Sequence, residues 1–420
     1  MMKYAIAGLL SYYALQTMNA QEWTGAANSD WNNPANWSEW PLSGENITID
    51  PMNYTGVGAS AEIISTSMFT PDRMLVMNGA SLAISANLTV ADRFIISDDA
   101  QVTMTAGTLV TDRLIMELGG AFTLDAGTVN TGRLVLGDDG QMASLFVQNG
   151  GTVTVSSEFG FDCAVGPSTP LIELNAGMLT VNTDGTWLGV SPSSGQGRFL
   201  VNGGTAQING SLVNSLGSSI DMLVLVTGGS LGVNGPLIDL VHATDSLRMI
   251  GGTCTLDGNL VFRNDGVVHA DAGLIQVMGQ AELRGVGTFH FNDVSIVTGA
   301  VLEHTDPAEI EVAGNWTNAG MFDGDVNTVA FVGSVLQTIE ATDFFGVRVD
   351  NGSGVTLSGP SSVSDLLSLE NGLVNTTDTD LLTVLSNGTS TSGTLNSYVN
   401  GPLRKVGNSD FDFPVGKGSS

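Results

Sequence analysis

Lysine is nearly missing from this chain. After residue 20 none occurs before Lys405, and 13 Lys+Arg face 42 Asp+Glu, a formal charge of −29. Nucleic acids and anionic membrane surfaces both recruit basic patches, so the charge balance argues against both as partners. The acidic surplus suits a long exported body that must stay soluble and unaggregated. Long apolar runs are absent too: beyond the N-terminus nothing approaches the ~20 residues of a transmembrane helix, so no transmembrane span is expected. No glycine-rich phosphate loop follows a strand, and no Ser/His/Asp set stands out. Cysteine is limited to Cys163 and Cys254.

What is present is repetition. From Pro71 to Gly150 the sequence recurs every 20 residues, with arginine at Arg73, Arg93, Arg113 and Arg133. Three apolar residues follow each arginine, as in Met74-Leu75-Val76 and Leu134-Val135-Leu136. Two further apolar columns come next: Leu82, Val102, Phe122 and Met142, then Ile84, Met104 and Leu124. Short β-type runs with Gly/Asn/Asp corners at a fixed period mark a solenoid. In 111–130, Arg113–Met116, Ala121–Asp125 and Thr128–Asn130 read as three strands, with Gly119-Gly120 and Ala126-Gly127 as corners. Phe122 and Leu124 then point inward and Ala121, Thr123 and Asp125 outward. The fold class is all-β, a right-handed parallel β-helix of roughly fourteen rungs and on the order of 65 Å long at ~4.8 Å per rung.

After residue 151 the period loosens. Corner glycines fall at Gly107, Gly127, Gly151, Gly177, Gly204, Gly229, Gly252 and Gly273, with unequal steps that imply insertions at corners of a preserved stack. The cysteines, about four rungs apart, lie on the order of 15–20 Å from each other along the stack, beyond disulfide reach, and read as small buried hydrophobes.

The expected layout is a signal peptide over 1–20, a Trp-rich capping segment over 21–60, repeats over 61–313 and a second β-helix module over 314–420. Lys3, the apolar run Tyr4 to Leu15, and Met18-Asn19-Ala20 before Gln21 carry the first assignment. No cysteine near that cleavage point offers a lipid anchor. Trp23, Trp31, Trp37 and Trp40 sit within 18 residues. They form either a platform for sugar rings or a plug over the first rung, whose open edge would otherwise invite another strand.

Several constellations bear on chemistry. The arginines share a strand face with Leu75, Ile95, Ile115 and Val135, so a charged and an aliphatic stripe run side by side. Stacked guanidinium groups repel by about 1 kcal/mol per neighbouring pair even in water, which calls for nearby acids. Asp72, Asp92 and Asp112 are placed to serve, and the fourth equivalent position is Gly132. The stripe is either a salt-bridged ladder under a flanking loop or a docking strip. His269 and His290 each follow a corner glycine by 17 residues, so they stack as a surface pair or two metal ligands. Asp323, Asp325 and Asn327 copy the first positions of a calcium loop, but Thr328 and Ser334 stand where it needs Gly and Glu. A polar corner is the simpler reading, calcium is the one cofactor weighed, and no metal is assigned. Asp98, Asp99, Asp138 and Asp139 approach the ~5–10 Å spacing of glycosidase carboxylates.

Glu22-Trp23-Thr24-Gly25, Asp30-Trp31-Asn32, Ala35-Asn36-Trp37-Ser38 and Asn46-Ile47-Thr48-Ile49 also form a recognisable opening. So do Asn315-Trp316-Thr317-Asn318, Val347-Arg348-Val349-Asp350-Asn351, Gly372-Leu373-Val374-Asn375-Thr376 and Tyr398-Val399-Asn400-Gly401-Pro402-Leu403-Arg404-Lys405 near the other end. This text resembles large bacterial surface proteins with autotransporter-type β-strand repeats, many exported by the type IX route. The resemblance implies an extracellular, cell-surface-associated protein of a Gram-negative bacterium and carries no catalytic residues. In such proteins the segment matching Phe413-Pro414-Val415-Gly416-Lys417-Gly418 is followed by more chain and a sorting domain, so the sequence looks truncated. The expected function is a non-catalytic stalk or adhesin making weak contacts with surface glycans or other surface proteins. The alternative is a carbohydrate-active β-helix enzyme, a glycoside hydrolase or polysaccharide lyase, the lyase being disfavoured by the want of lysine.

Overall fold

A rung of about twenty residues cannot bury its own apolar columns, so its stability comes from stacking on identical neighbours. The computed structural model describes residues 20–55, 60–138, 143–163, 169–182, 186–187, 196–214 and 221–416; at 138, 162–163 and 186–187 the description is of backbone alone. The expected signal peptide, Asp139, Met142 and the side chains of Asp138 and Cys163 lie outside it. The chain is a parallel β-solenoid of about 15 turns, and its contacts divide it into two compact units, up to Leu223 and from Val224.

In the first unit every long strand pairs in parallel with the one a turn later. Arg73–Val76 pairs with Leu88–Ile96, that with Thr108–Met116, and that with Thr128–Asp138. Ser81–Ile84, Gln101–Met104, Ala121–Leu124 and Leu145–Gln148 stack as a second face. Inward residues alternate as a half-buried strand requires: Phe122 and Leu124 are fully buried, and the Phe122 ring stacks on Phe146 at 5.6 Å. The apolar column therefore continues through Phe146, not Met142. The gap-free period ends at Leu136, and the next turn is four residues longer.

The third strand and the following arginine strand are one continuous element, not two. The bend is a register shift between Thr131 and Arg133, where Thr131 Oγ1 donates to the Arg133 carbonyl at 2.7 Å. The other corners are glycines. All eight corner glycines from Gly107 to Gly273 have positive φ. At Gly151 a Cβ would also lie 2.3 Å from the Gly127 carbonyl oxygen, so both conformation and contact demand glycine.

In the second unit, Ser246–Asp257, Val267–Val277 and Asp293–Ile296 continue the same parallel ladder. Cys254 lies fully buried here, and burial pushes its thiol up to about 12. On one face the ladder stops. Val301–His304 pairs with Met321–Asp323, but the next strand on that face, Asp343–Phe344, joins a separate four-stranded sheet with Ser361–Val363, Leu382–Val384 and Leu403–Lys405. Two local structures make the break. Asp325 turns at φ 45 with its amide donating to Asp323 Oδ1 at 3.0 Å. Thr342 Oγ1 is held by Trp316 Nε1 at 3.0 Å and Asn318 Nδ2 at 3.1 Å.

Candidate functional site

The four arginines form one column. Arg73 pairs in register with Arg93, Arg93 with Arg113 and Arg113 with Arg133. Asp92 is the hub: its carboxylate lies 3.0 Å from Arg73 Nε, 3.4 Å from Arg93 Nε and 3.8 Å from Arg113 Nε. Asp112 takes Arg113 at 3.2 Å and Asp72 lies 3.9 Å from Arg73. Burial, then the neighbouring Arg113, pulls the Arg93 guanidinium below its ordinary range, with Asp92 opposing. The acid column ends at Gly132 because a Cβ there would sit 2.6 Å from the Asp112 carbonyl oxygen. Glu158, one turn on, replaces it at 3.1 Å from Arg133. That partner escaped the sequence reading, since the lengthened turn moves it off the period.

The aliphatic stripe is not an open strip at its lower end. Leu75 and Ile95 are buried with Met77 in an outside cluster against which half-buried Ile115 packs; Val135 is half-buried. Arg133, at 45% side-chain exposure, is the most accessible of the four guanidinium groups, the other three being at 22–29%.

Three of the four tryptophans pack into an aromatic cluster, as a capping plug requires and a sugar platform does not. Trp23 and Trp31 are fully buried and Trp37 nearly so, packed at 6.2, 5.2 and 4.7 Å with Phe69 alongside. Trp37 Nε1 donates to the Trp31 carbonyl, and the Trp31 amide to the Glu62 carbonyl, which ties the cluster to the first strands. A sugar ring finds no free face on these three. Trp40 alone is half-buried, edge-on to Phe69.

His269 and His290 stack as the spacing implied, with ring centroids 4.3 Å apart and nearly parallel planes. Each faces a carboxylate at 2.9 Å, Asp271 and Glu311 respectively. The column runs on to Arg348, which binds both Glu309 oxygens at 2.9 and 3.0 Å and Glu311 at 3.3 Å. At the corner Asp323–Asn327, Asn327 is buried and donates its Nδ2 to the His304 carbonyl at 2.8 Å, and Asp323 Oδ1 accepts from the Asp325 amide at 3.0 Å. Among the described residues no three His, Cys, Asp or Glu side chains form a group able to hold a metal ion. Asp98 and Asp99 both sit at positive φ, and burial raises the Asp98 carboxyl above its usual range. Their proposed partners Asp138 and Asp139 fall outside the described side chains.

One feature had no counterpart in the sequence reading. A groove of about 690 Å³ opens where the ladder breaks, lined by Phe322–Asp325, Asp343–Phe345, Ser361, Ser362, Ser364, Thr383 and Arg404. Its floor is rigid. Phe322 and Phe344 pack at 5.0 and 5.8 Å from the buried Trp316. Asp343, Ser362, Thr383 and Arg404 are vertical neighbours in successive strands.

Compared with protein-family models, with curated proteins and with solved structures, the chain matches none. Its function must be argued from its own geometry.

Proposed function

We propose that this chain is a non-catalytic display scaffold, an exported stalk or adhesin of a bacterial surface. Its solenoid holds outward side chains at a fixed ~4.8 Å step for weak, repeated contacts with glycans or surface proteins. The observation that carries the reading is the unbroken arginine column, in which chemically identical side chains recur in register on one face. Most of its charge is answered internally by Asp92 and Asp112, so the column serves as structure along its length and offers a contact at Arg133. The lysine-poor, acidic surface argues against nucleic acid as a partner. Export and surface attachment, including a type IX route, rest on the N-terminal apolar run and the resemblance of the flanking motifs.

The test is a glycan array with the purified chain, read beside a reducing-sugar release assay. Retention without release supports the adhesin. Release of reducing ends favours the carbohydrate-active alternative. Surface proteolysis of intact cells checks location: a surface protein is cleaved, an internal one is spared.

A further inference from the structure

The arginine column of the first unit is internally paired. The groove at the broken ladder is concave, and its polar groups are only partly used. Ser362 Oγ donates to Asp343 Oδ1 at 2.5 Å, and among the described residues nothing bonds to Asp343 Oδ2. Arg404 Nε donates to Thr383 Oγ1 at 3.2 Å, while its two terminal nitrogens have neither a hydrogen bond nor an acidic partner among the described residues. The column thus presents a free acceptor at one end and a free pair of donors at the other. Three ladder steps separate them, roughly 14 Å at ~4.8 Å per step. Between them lie hydroxyls, with half-buried Phe345 as an apolar face.

We propose that this groove binds a short uncharged oligosaccharide. The inference rests on the adhesive reading above and names the site and ligand class for it. Its size falls within the ~300–1,000 Å³ of ligand sites, which combine apolar walls with a few placed polar groups. A sugar chain offers hydroxyls that both donate and accept all along its length, as this column demands. The carboxylates do not converge on a point, so a metal ion is not the occupant. Asp323, Asp325 and Asp343 against the single Arg404 repel a uronate. A peptide strand needs a longer edge to add to than the two residues of Asp343–Phe344. The aromatic floor is packed before any ligand arrives, so little ordering is lost on binding.

Isothermal titration of the full chain with di- and trisaccharides of glucose, mannose and galactose tests this. Glucosamine and galacturonate oligomers run in parallel. The expected result is saturable binding of at least one neutral series, weakened ten-fold or more by Asp343→Asn and by Arg404→Ala. Gln101→Ala, exposed on the other unit, should leave it unchanged. Circular dichroism melts verify that each variant is folded, and the near-isosteric Asp343→Asn guards against simple collapse of the site. Neutral binding that survives both groove variants overturns this site and leaves the adhesive reading standing. Binding confined to the cationic or the acidic series overturns the uncharged class. No glycan binding at all overturns this site and leaves the chain as a stalk or an adhesin for surface proteins.

Discussion

The stretch Pro71–Gly150 and the stretch Trp316–Phe345 follow the same building rule with opposite results. In the first, successive turns repeat one another at a 20-residue period up to Leu136, and each described strand pairs in parallel with the one a turn later. In the second, strands shrink to two to four residues, the turn at Asp325 and the anchoring of Thr342 interrupt one face, and a groove opens over Trp316. Regularity supplies stability and spacing, and a site requires that regularity to fail. The failure is supported from beneath by aromatic packing among Trp316, Phe322, Phe331 and Phe344, which does for the interior of the second unit what Trp23, Trp31, Trp37 and Phe69 do at the start of the first.

The comparison can be broken most severely at Trp316. Trp316→Ala should cost about 3–5 kcal/mol, read as a fall in the urea midpoint, because it empties a fully buried site and releases Thr342. Next comes a pH effect confined to the second unit. His304 is fully buried, both ring nitrogens lack partners, and burial pushes its imidazole down to about 4 despite Asp306. Between pH 4 and 6.5 the unfolded chain then binds more protons than the folded one. Stability is full above about pH 6.5 and falls as pH drops toward 4, by on the order of 3 kcal/mol. In denaturant titrations across that range, His304→Leu should flatten the dependence.

Glycines sharpen the contrast between stacked and open corners. Gly127 has φ 101 and a Cβ there would lie 2.7 Å from the Gly107 carbonyl oxygen, whereas Gly299 has φ 84 with nothing within 4 Å. Gly127→Ala should lose about 2–3 kcal/mol and Gly299→Ala about 1 kcal/mol in the same melts, since only the first adds a backbone collision to the conformational strain. The smallest effect belongs to the ladder. Asp92→Asn should destabilise by about 1 kcal/mol and Asp112→Asn by less, because Asp92 serves three arginines and half-exposed pairs are screened by solvent. Added salt should shrink the difference.

Much of this was readable from residues alone, and the reason is local. The register of Arg73, Arg93, Arg113 and Arg133 follows from an unvarying period, and the stacking of His269 on His290 from equal offsets after two corner glycines. Burial of Trp23, Trp31 and Trp37 follows from the need to cover an open end. What escaped depends on where the period slips. Glu158 reaches Arg133 only because residues were inserted in that turn. The burial of Leu75 and Ile95 with Met77 fits the covered-stripe alternative, which the period alone did not separate from a docking strip. The groove gathers residues from Phe322 to Arg404 across several turns, and it exists because two strands do not pair, an event that no spacing records.

The central claim is that residues twenty apart are vertical neighbours, and a cross-link tests it directly. In a Cys163→Ala, Cys254→Ala background, Arg93→Cys with Arg113→Cys places two thiols on paired positions ~4.8 Å apart at Cα, within disulfide range. Arg93→Cys with Leu114→Cys puts the second thiol on the opposite, buried face. Mild oxidation followed by peptide mass mapping should give near-complete linkage of the first pair and little of the second. Equal linkage of both pairs, or none of the first, would contradict the stacked register on which the fold, the ladders and the groove depend.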